Sequence, residues 1–273
     1  MKDLRIAAVC MRSEPGDILK NLESTESYVS EASEMGADLV CFPELSITGY
    51  PLEVPTDLYN DQSLESIVRR IGDMARKKNL VVLAGIIEVG DRTGPYISQI
   101  VAGPDGLLGL YRKTHLPPPE KEIYRAGGEI PLFGCSGFTF GVQLCYESHF
   151  PEISRVMALK GAELILLPHA SPRGNPEEKM ESWLRHLPSR AFDNSLFVVA
   201  CNQVGETSGG LSFPGVILGI DPSGRIIESY GGNQERMILI ELKGKLLEEV
   251  RNHRMRHFLP HRRPELYEGI CSQ

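Results

Sequence analysis

The sequence predicts an α/β fold, with mixed β-sheets packed in two layers and helices outside them. Three observations carry this. Strand-like apolar runs alternate with segments of helical period along the chain. Several neighbouring strands are joined by tight turns, Gly103-Pro104-Asp105-Gly106 and Asp221-Pro222-Ser223-Gly224, which make hairpins and therefore antiparallel pairs. A purely parallel sheet has no place for such turns. Finally, roughly a dozen strands exceed what one open sheet usually holds, which favours two layers.

The elements follow in order. LRIAAVCM (4–11) is a first strand. Residues 16–36 carry apolar positions at helical spacing, with Gly36 as a stop. ADLVCFPE (37–44) is the second strand. SLESIVRRIGDMARKKN (63–79) is a helix opened by Ser63, with basic residues in its last turn to complement its dipole. LVVLAGIIEV, YISQIVAG and LLGLYRK are strands, and THLPPPEKEIYRAGGE (114–129) is a proline-rich loop. IPLF (130–133) and FTFGVQL (138–144) are strands, FPEISRVMALKG (150–161) a helix and ELILLP (163–168) a strand. Residues 176–194 form a helix broken at Pro188, which lacks an N–H and clashes with the preceding turn. SLFVVACN, PGVILGID, RIIESYG and RMILIEL complete the strands. KGKLLEEVRNH closes as a helix, and an extended tail follows over 251–273. With no Gly/Ser-rich linker and no repeat, residues 1–273 read as a single domain.

Composition excludes several classes of function. A net charge of -7 argues against nucleic acid as a partner, since that needs a basic face. No run of about 18 apolar residues predicts a membrane span, and the N-terminus lacks the length and cleavage site of a signal peptide. The six cysteines form no CxxC pair, so neither a disulfide scaffold nor a zinc ribbon is expected. Free thiols in a reducing cytoplasm are the natural reading. Cys10, Cys41 and Cys201 read as buried small hydrophobes and Cys271 as an exposed tail thiol. His253, His257 and His261 recur every four residues, but Pro260 interrupts the helix that would align them, and no metal is expected there.

Three chemically active residues share one structural address. Glu44 follows LVCFP, Lys113 follows LLGLYR and Cys145 follows FTFGVQL, each at the carboxyl end of a strand, where α/β sheets gather their ligands. Singly, each has a bland reading: a buried thiol, a capping carboxylate, a solvated ammonium. Together they are a set for acyl transfer. The carboxylate deprotonates the thiol, and the ammonium stabilises the oxyanion that forms on attack.

The stretches FPELSITGYP, YRKTHL and GVQLCYESHFPEISR around these residues resemble the nitrilase, or carbon-nitrogen hydrolase, superfamily. KGAELILLP, RAFDNSLFVVACNQVG, GVILGIDPSGRII and the tail RRPELY extend the resemblance over nearly the whole chain. It implies a four-layer αββα sandwich, with two mixed sheets between outer helices. It also implies Glu44 as general base, Lys113 as oxyanion-stabilising cation, Cys145 as nucleophile and the Tyr146 backbone N–H as a further oxyanion donor. A second glutamate, which orients the lysine, falls on Glu120, with Glu122 as the alternative. No metal or organic cofactor is implied. The tail of family members commonly crosses a subunit interface, so a homodimer or higher homo-oligomer is expected.

The substrate is expected to be a small amide or N-carbamoyl compound. Ser148 stands where nitrile-hydrolysing members carry Asn, which favours amide or carbamoyl cleavage over nitrile cleavage. Acyl transfer to an amine, or nitrile hydrolysis, is the alternative reaction. The Cys-Tyr-Glu stretch also resembles a membrane-anchored acyltransferase branch, whose spans this sequence lacks. His169, Ser171 and Arg173 follow ELILLP and are candidates to face the substrate, with Arg173 binding a carboxylate. Tyr50, Tyr124 and Tyr146 are candidate pocket walls. Arg190 and Asn194 read as structural, Trp183 as core and Glu147 as a support for the site. Selectivity is expected in the loops around 50–60, 117–129 and 169–180.

Overall fold

The computed structural model describes residues 2–270 apart from 52, 55–57, 59–62, 90–93 and 136. Cys271 and much of the 50–60 loop therefore lie outside the described residues. The first half runs β1 (Leu4–Cys10), α1 (Ile18–Glu34), β2 (Leu39–Cys41), α2 (Leu64–Lys78), β3 (Val81–Glu88), β4 (Tyr96–Gly103), β5 (Gly106–Arg112) and a short α3 (Pro118–Lys121). The second half runs β6 (Phe133–Cys135), β7 (Phe138–Val142), α4 (Pro151–Leu159), β8 (Leu164–His169), α5 (Pro176–Leu184), α6 (Leu187–Phe192) and β9 (Phe197–Asn202). It continues through β10 (Gly205–Glu206), β11 (Ser212–Phe213), β12 (Gly215–Ile220), β13 (Ile226–Gly232), β14 (Arg236–Leu242) and α7 (Gly244–Arg251).

Two six-stranded mixed sheets result, in the orders β14-β1-β2-β3-β4-β5 and β13-β12-β9-β8-β7-β6. In each, parallel central pairs are flanked by antiparallel ones, as the hairpin turns required. The Gly103–Gly106 turn closes β4 onto β5. At the other predicted turn the Asp221 carboxylate accepts from the N–H groups of Ser223 (2.7 Å) and Arg225 (3.1 Å), an Asx turn joining β12 to β13.

Strand periodicity sorts side chains into layers. Leu4, Ile6, Ala8 and Cys10 of β1 face Leu164, Leu166, Phe197, Val199 and Cys201 in the core between the sheets. The intervening Ala7 and Val9 pack outward on Ile18, Leu22 and Val29 of α1 and Ile67 and Ile71 of α2. Outside the second sheet, Ile165, Leu167, Val198 and Ala200 meet Ile153 and Met157 of α4, Trp183 of α5 and Leu187 of α6. The central strands are buried on both faces, which is why they read as continuous apolar runs. This is the αββα sandwich the sequence implied.

Three local expectations need correction. The helix over 176–194 does break, but at Arg185–His186 rather than at Pro188. Pro188 sits in the first turn of α6, where its missing N–H would have had no partner anyway. The loop 114–129 contains the α3 turn, started by Pro118. The tail is not extended: it folds into 3₁₀ turns at Leu259–His261, Pro264–Leu266 and Glu268–Ile270, two of them with proline among their first two residues. No helix among the described residues is long and apolar enough to cross a membrane.

Candidate active site

Glu44 leaves β2 in a loop that is laid against β3 by side chains standing in for a strand. Ser46 Oγ accepts from the Gly85 N–H (3.0 Å), Thr48 Oγ1 accepts from the Ile87 N–H (3.1 Å), and the Ile47 N–H donates to Gly85 O (2.9 Å). The approach is close enough that a Cβ on Gly85 would lie 2.1 Å from Leu45 N. Glycine is therefore required there, and Leu45 itself takes a left-handed φ of 56°. The Gln203 side chain donates to Glu44 O (2.8 Å), so the Glu44 backbone is held from both sheets.

Lys113 is completely buried at the end of β5. Its Nζ donates to Glu44 Oε1 and to Glu120 Oε2, both at 2.8 Å. Glu120 is presented by α3 and is fixed by a hydrogen bond from the Tyr50 hydroxyl to its Oε1 (2.9 Å). Glu122, two residues along, is exposed, so the fold brings Glu120 and not Glu122 to Lys113. The remaining Glu44 oxygen accepts from the Ala170 N–H (3.0 Å), at the end of β8.

Cys145 follows β7 with a φ of 43°, in the left-handed region that a side chain rarely adopts. It opens a 3₁₀ turn, Cys145–His149, whose first N–H groups have no acceptor within the turn. Glu147 anchors that turn. Fully buried, it accepts from the Leu144 N–H (2.6 Å), the Thr114 N–H (2.7 Å), the Thr114 hydroxyl and the Tyr111 hydroxyl (2.8 Å). Leu144 precedes Cys145 and Thr114 follows Lys113. One carboxylate thus ties the cysteine turn of the second sheet to the lysine strand of the first. The Arg190 guanidinium donates to Ser148 O (3.1 Å), and the Asn194 amide to Arg190 O (2.9 Å), bracing the same turn from α6.

The electrostatics follow from burial. Desolvation raises the Glu44 carboxyl to about 7; the Lys113 ammonium opposes this and the Glu120 charge adds to it. Desolvation, then the Glu44 charge, pushes the Cys145 thiol up to about 12, against the pull of Lys113. The two carboxylates and the Cys145 sulfur raise Lys113 well above its ordinary value despite its burial. At neutral pH the resting site therefore holds a neutral thiol, a fixed ammonium and a carboxylate poised near its own titration point. Such a carboxylate is well matched to proton transfer.

Cys145 is partly exposed on the wall of a cavity of about 220 Å³, roughly the liquid volume of seven waters at ~30 Å³ each. Glu120, Tyr50, Tyr146, His169, Ser171, Lys179, Trp183 and His186 also line it. Tyr146 contributes its ring, packed edge-on against His149 and Phe150. His169 is buried against the Trp183 ring (centroids 4.3 Å apart), and burial lowers its imidazole to about 3. Its Nδ1 lies 2.7 Å from Leu167 O, an atom that only accepts, so the Nδ1 carries the hydrogen. Its Nε2 is left as a buried acceptor without a partner among the described residues. Ser171 Oγ accepts from Lys179 Nζ (2.8 Å). Desolvation lowers His186 to about 4, so His169 and His186 are uncharged.

Two sequence expectations separate here. Arg173 does not reach the cavity: it is exposed, with a φ of 74°, because its N–H pairs with Ser212 O (3.0 Å) and turns the chain away from the rim. Tyr124 is buried beneath α3 rather than on this wall and lines a neighbouring hollow with Tyr146. Sequence reasoning missed Lys179 and read Trp183 as core alone. The signal was present, because Lys179, Ser182 and Trp183 stand at i, i+3 and i+4, on one face of α5.

Comparison with known proteins agrees with this geometry. The family model described as carbon-nitrogen hydrolase matches residues 5–252. The chain belongs to the carbon-nitrogen hydrolase family. It is 31% identical over 268 residues to a protein named nitrilase from Pyrococcus abyssi, covering 97% of this chain and 99% of that protein. It is 30% identical to 2-oxoglutaramate amidase of Bacillus subtilis, covering 85% and 88%. Among solved structures it superimposes with a TM-score of 0.80 and 25% identity on a variant of an amidase from Nesterenkonia sp. in complex with butyramide, covering 97% and 96%. As a carbon-nitrogen hydrolase, the chain is an enzyme that cleaves non-peptide C–N bonds, with a cysteine nucleophile, on small amide-type molecules.

Proposed function

We propose that this hydrolase cleaves a small linear amide through a thioester on Cys145, with Glu44 as general base, Lys113 as oxyanion-stabilising cation and Glu120 as the group that orients Lys113. The observation that carries the reading is the Lys113 ammonium held at 2.8 Å from both Glu44 and Glu120, beside a cysteine on a cavity wall.

In the first half-reaction Glu44 takes the Cys145 proton and the sulfur attacks the amide carbon. Because the thiol sits near 12, no thiolate waits at rest and the base is required. The oxyanion of the tetrahedral adduct is held by the Lys113 ammonium and the Tyr146 N–H. The C–N bond breaks, and the departing nitrogen takes the proton from Glu44. In the second half-reaction Glu44 removes a proton from water, the hydroxide attacks the thioester carbon, and the C–S bond breaks with the sulfur regaining that proton. Carboxylic acid and amine or ammonia leave, and Glu44 ends ionised as it began. General base action contributes about 10²–10⁴-fold, and one preorganised oxyanion donor about 10²–10³-fold.

His169 Nε2 and Ser171 face the substrate in this reading, the first as an acceptor for a substrate N–H or O–H. The small cavity supports a compact amide, and the butyramide complex of the relative supports the same class. N-carbamoyl compounds are the second class to test, and acyl transfer to an amine the alternative fate of the thioester. The decisive experiment measures ammonia release from amides, N-carbamoyl amino acids, N-carbamoyl amines and nitriles, with mass spectrometry of the trapped enzyme. A thioester mass on Cys145 is expected; turnover unchanged in Cys145→Ala would sink the assignment. Hydroxamate formed in hydroxylamine, against acid formed in water, measures the transfer alternative.

We also propose that the enzyme works in the cytoplasm as a homodimer or larger homo-oligomer. The cysteine pattern supports the first. The second is supported by apolar side chains exposed on α4 and the tail, among them Leu159, Phe258, Met255 (73% exposed) and Leu266 (63% exposed). Light scattering at micromolar protein should return a multiple of the chain mass, and a monomer would refute it.

A further inference from the structure

Lys179 is the one cation that the cavity wall offers besides the buried Lys113, among the described residues. It stands on α5, half-buried. Its ammonium meets only neutral oxygens, Ser171 Oγ at 2.8 Å and Pro172 O at 3.2 Å, and no carboxylate among the described residues. An ammonium has three donors, so two are used and one is left. Burying a charge with no counter-ion is costly unless something arrives to pair it. Burial indeed lowers the ammonium from its ordinary value, and Lys179 lines the same cavity as the reacting Cys145.

The same wall also carries the opposite sign, at Glu120. Glu44 and Glu120 share one ammonium, so with both ionised that group carries a net negative charge. His169 and His186 on this wall are uncharged. A molecule with an amide at one end and an anion at the other is oriented by this field. Its anion is repelled from the two glutamates and drawn to Lys179, and the amide is left facing Cys145. Ser171 and the Pro172 carbonyl hold the ammonium in place without neutralising it.

Resting on the amide-hydrolase reading above, we propose that Lys179 is the specificity-determining residue of this enzyme and that its substrates are short amides bearing a carboxylate at the far end, the monoamides of small dicarboxylic acids. This transfers to Lys179 the carboxylate-binding role that the sequence assigned to Arg173.

The test compares kcat/KM for succinamate and glutaramate with that for the uncharged butyramide and pentanamide and the cationic 4-aminobutanamide. The wild-type enzyme is expected to favour the anionic amides over the uncharged ones by at least about tenfold, the scale of one charge-assisted hydrogen bond. Lys179→Gln should lower that anionic-to-neutral ratio by about 10–100-fold, Lys179→Arg should keep most of it, and Lys179→Glu should turn the preference toward 4-aminobutanamide. Stoichiometric labelling of Cys145 by iodoacetamide in each variant reports an intact site. Hydrolysis of uncharged amides as fast as anionic ones by the wild type overturns the inference and leaves the amide-hydrolase reading standing. So does a ratio unmoved in Lys179→Gln, or one that collapses in Arg173→Ala instead. Absence of ammonia from every amide would instead remove the amide-hydrolase reading, and this inference with it.

Discussion

Replacing Glu147 tests whether a single buried carboxylate holds the two halves of the site together. In Glu147→Ala three close donors lose their acceptor, the Leu144 N–H, the Thr114 N–H and the Tyr111 hydroxyl, and the His115 N–H loses a longer contact of 3.4 Å. The Thr114 hydroxyl can turn to His115 Nδ1, 2.8 Å away, once that ring takes the Nε2–H tautomer, and costs little. Each buried donor without a partner costs about 1–3 kcal/mol, so the variant should lose about 3–9 kcal/mol of stability. That is a large share of the ~5–15 kcal/mol typical of a folded protein. At roughly 2–4 °C of Tm per kcal/mol, even the lower bound is a fall of at least about 6 °C. Glu147→Gln keeps one oxygen for Thr114 and Tyr111 but turns an amide N–H toward the Leu144 N–H. Its expected cost is about 1–3 kcal/mol, one lost acceptor. Denaturant unfolding of both variants measures these costs. A kcat/KM profile against pH separates positioning from proton transfer, because Glu147 touches neither Cys145 nor the cavity: kcat should fall while the profile keeps its midpoint. An unfolding free energy of Glu147→Ala within about 0.5 kcal/mol of wild type would refute the reasoning, and so would a shifted midpoint.

The pH profile of the wild type is itself predicted. The base must be ionised to take the thiol proton, so kcat/KM should rise as pH climbs through the Glu44 value of about 7 and then level off, since Cys145 titrates near 12; a profile already flat from pH 5 to 9 would exclude Glu44 as the base. Gly85→Ala drives a Cβ to 2.1 Å from Leu45 N and must displace the Glu44 loop, so it should lower kcat by at least about tenfold and lower the unfolding midpoint, measured on the same sample. Tyr50→Phe removes the hydroxyl that fixes Glu120 (2.9 Å) at the loss of one hydrogen bond, a cost of about 0.5–1.5 kcal/mol, and should lower kcat/KM by several-fold at unchanged substrate preference; a wild-type kcat/KM would show that Glu120 holds Lys113 unaided. Trp183→Ala removes the ring on which His169 stacks and enlarges the cavity, so longer amides should gain relative to butyramide in competition assays.

The sequence by itself determined the α/β class, the hairpins and the three strand-end residues. These rest on local rules: side-chain period selects strand or helix, turn residues impose antiparallel pairs, and a residue after an apolar run sits at a strand end. Glu44, Lys113 and Cys145 could therefore be named from the chain alone, and the family resemblance of the stretches around them gave their order a meaning. Glu120 was preferred over Glu122 on that resemblance, and the α3 turn places it at Lys113. What local rules could not decide is where long side chains go after the backbone has been placed. Arg173 and Lys179 are six residues apart in one loop-to-helix segment, both cationic. The left-handed φ at Arg173 and its pairing to Ser212 aim it at solvent, while the α5 face aims Lys179 at the cavity. Glu147 could be read only as a support, because its partners Tyr111 and Thr114 come from the other sheet, more than 30 residues away in the chain. Protonation belongs to the same class. A carboxylate near 7 and a thiol near 12 follow from burial and from neighbours that only the packed sandwich brings together. Period and turn chemistry act over a few residues and are legible in sequence. Desolvation and charge pairing act through space, and the tertiary structure decides them.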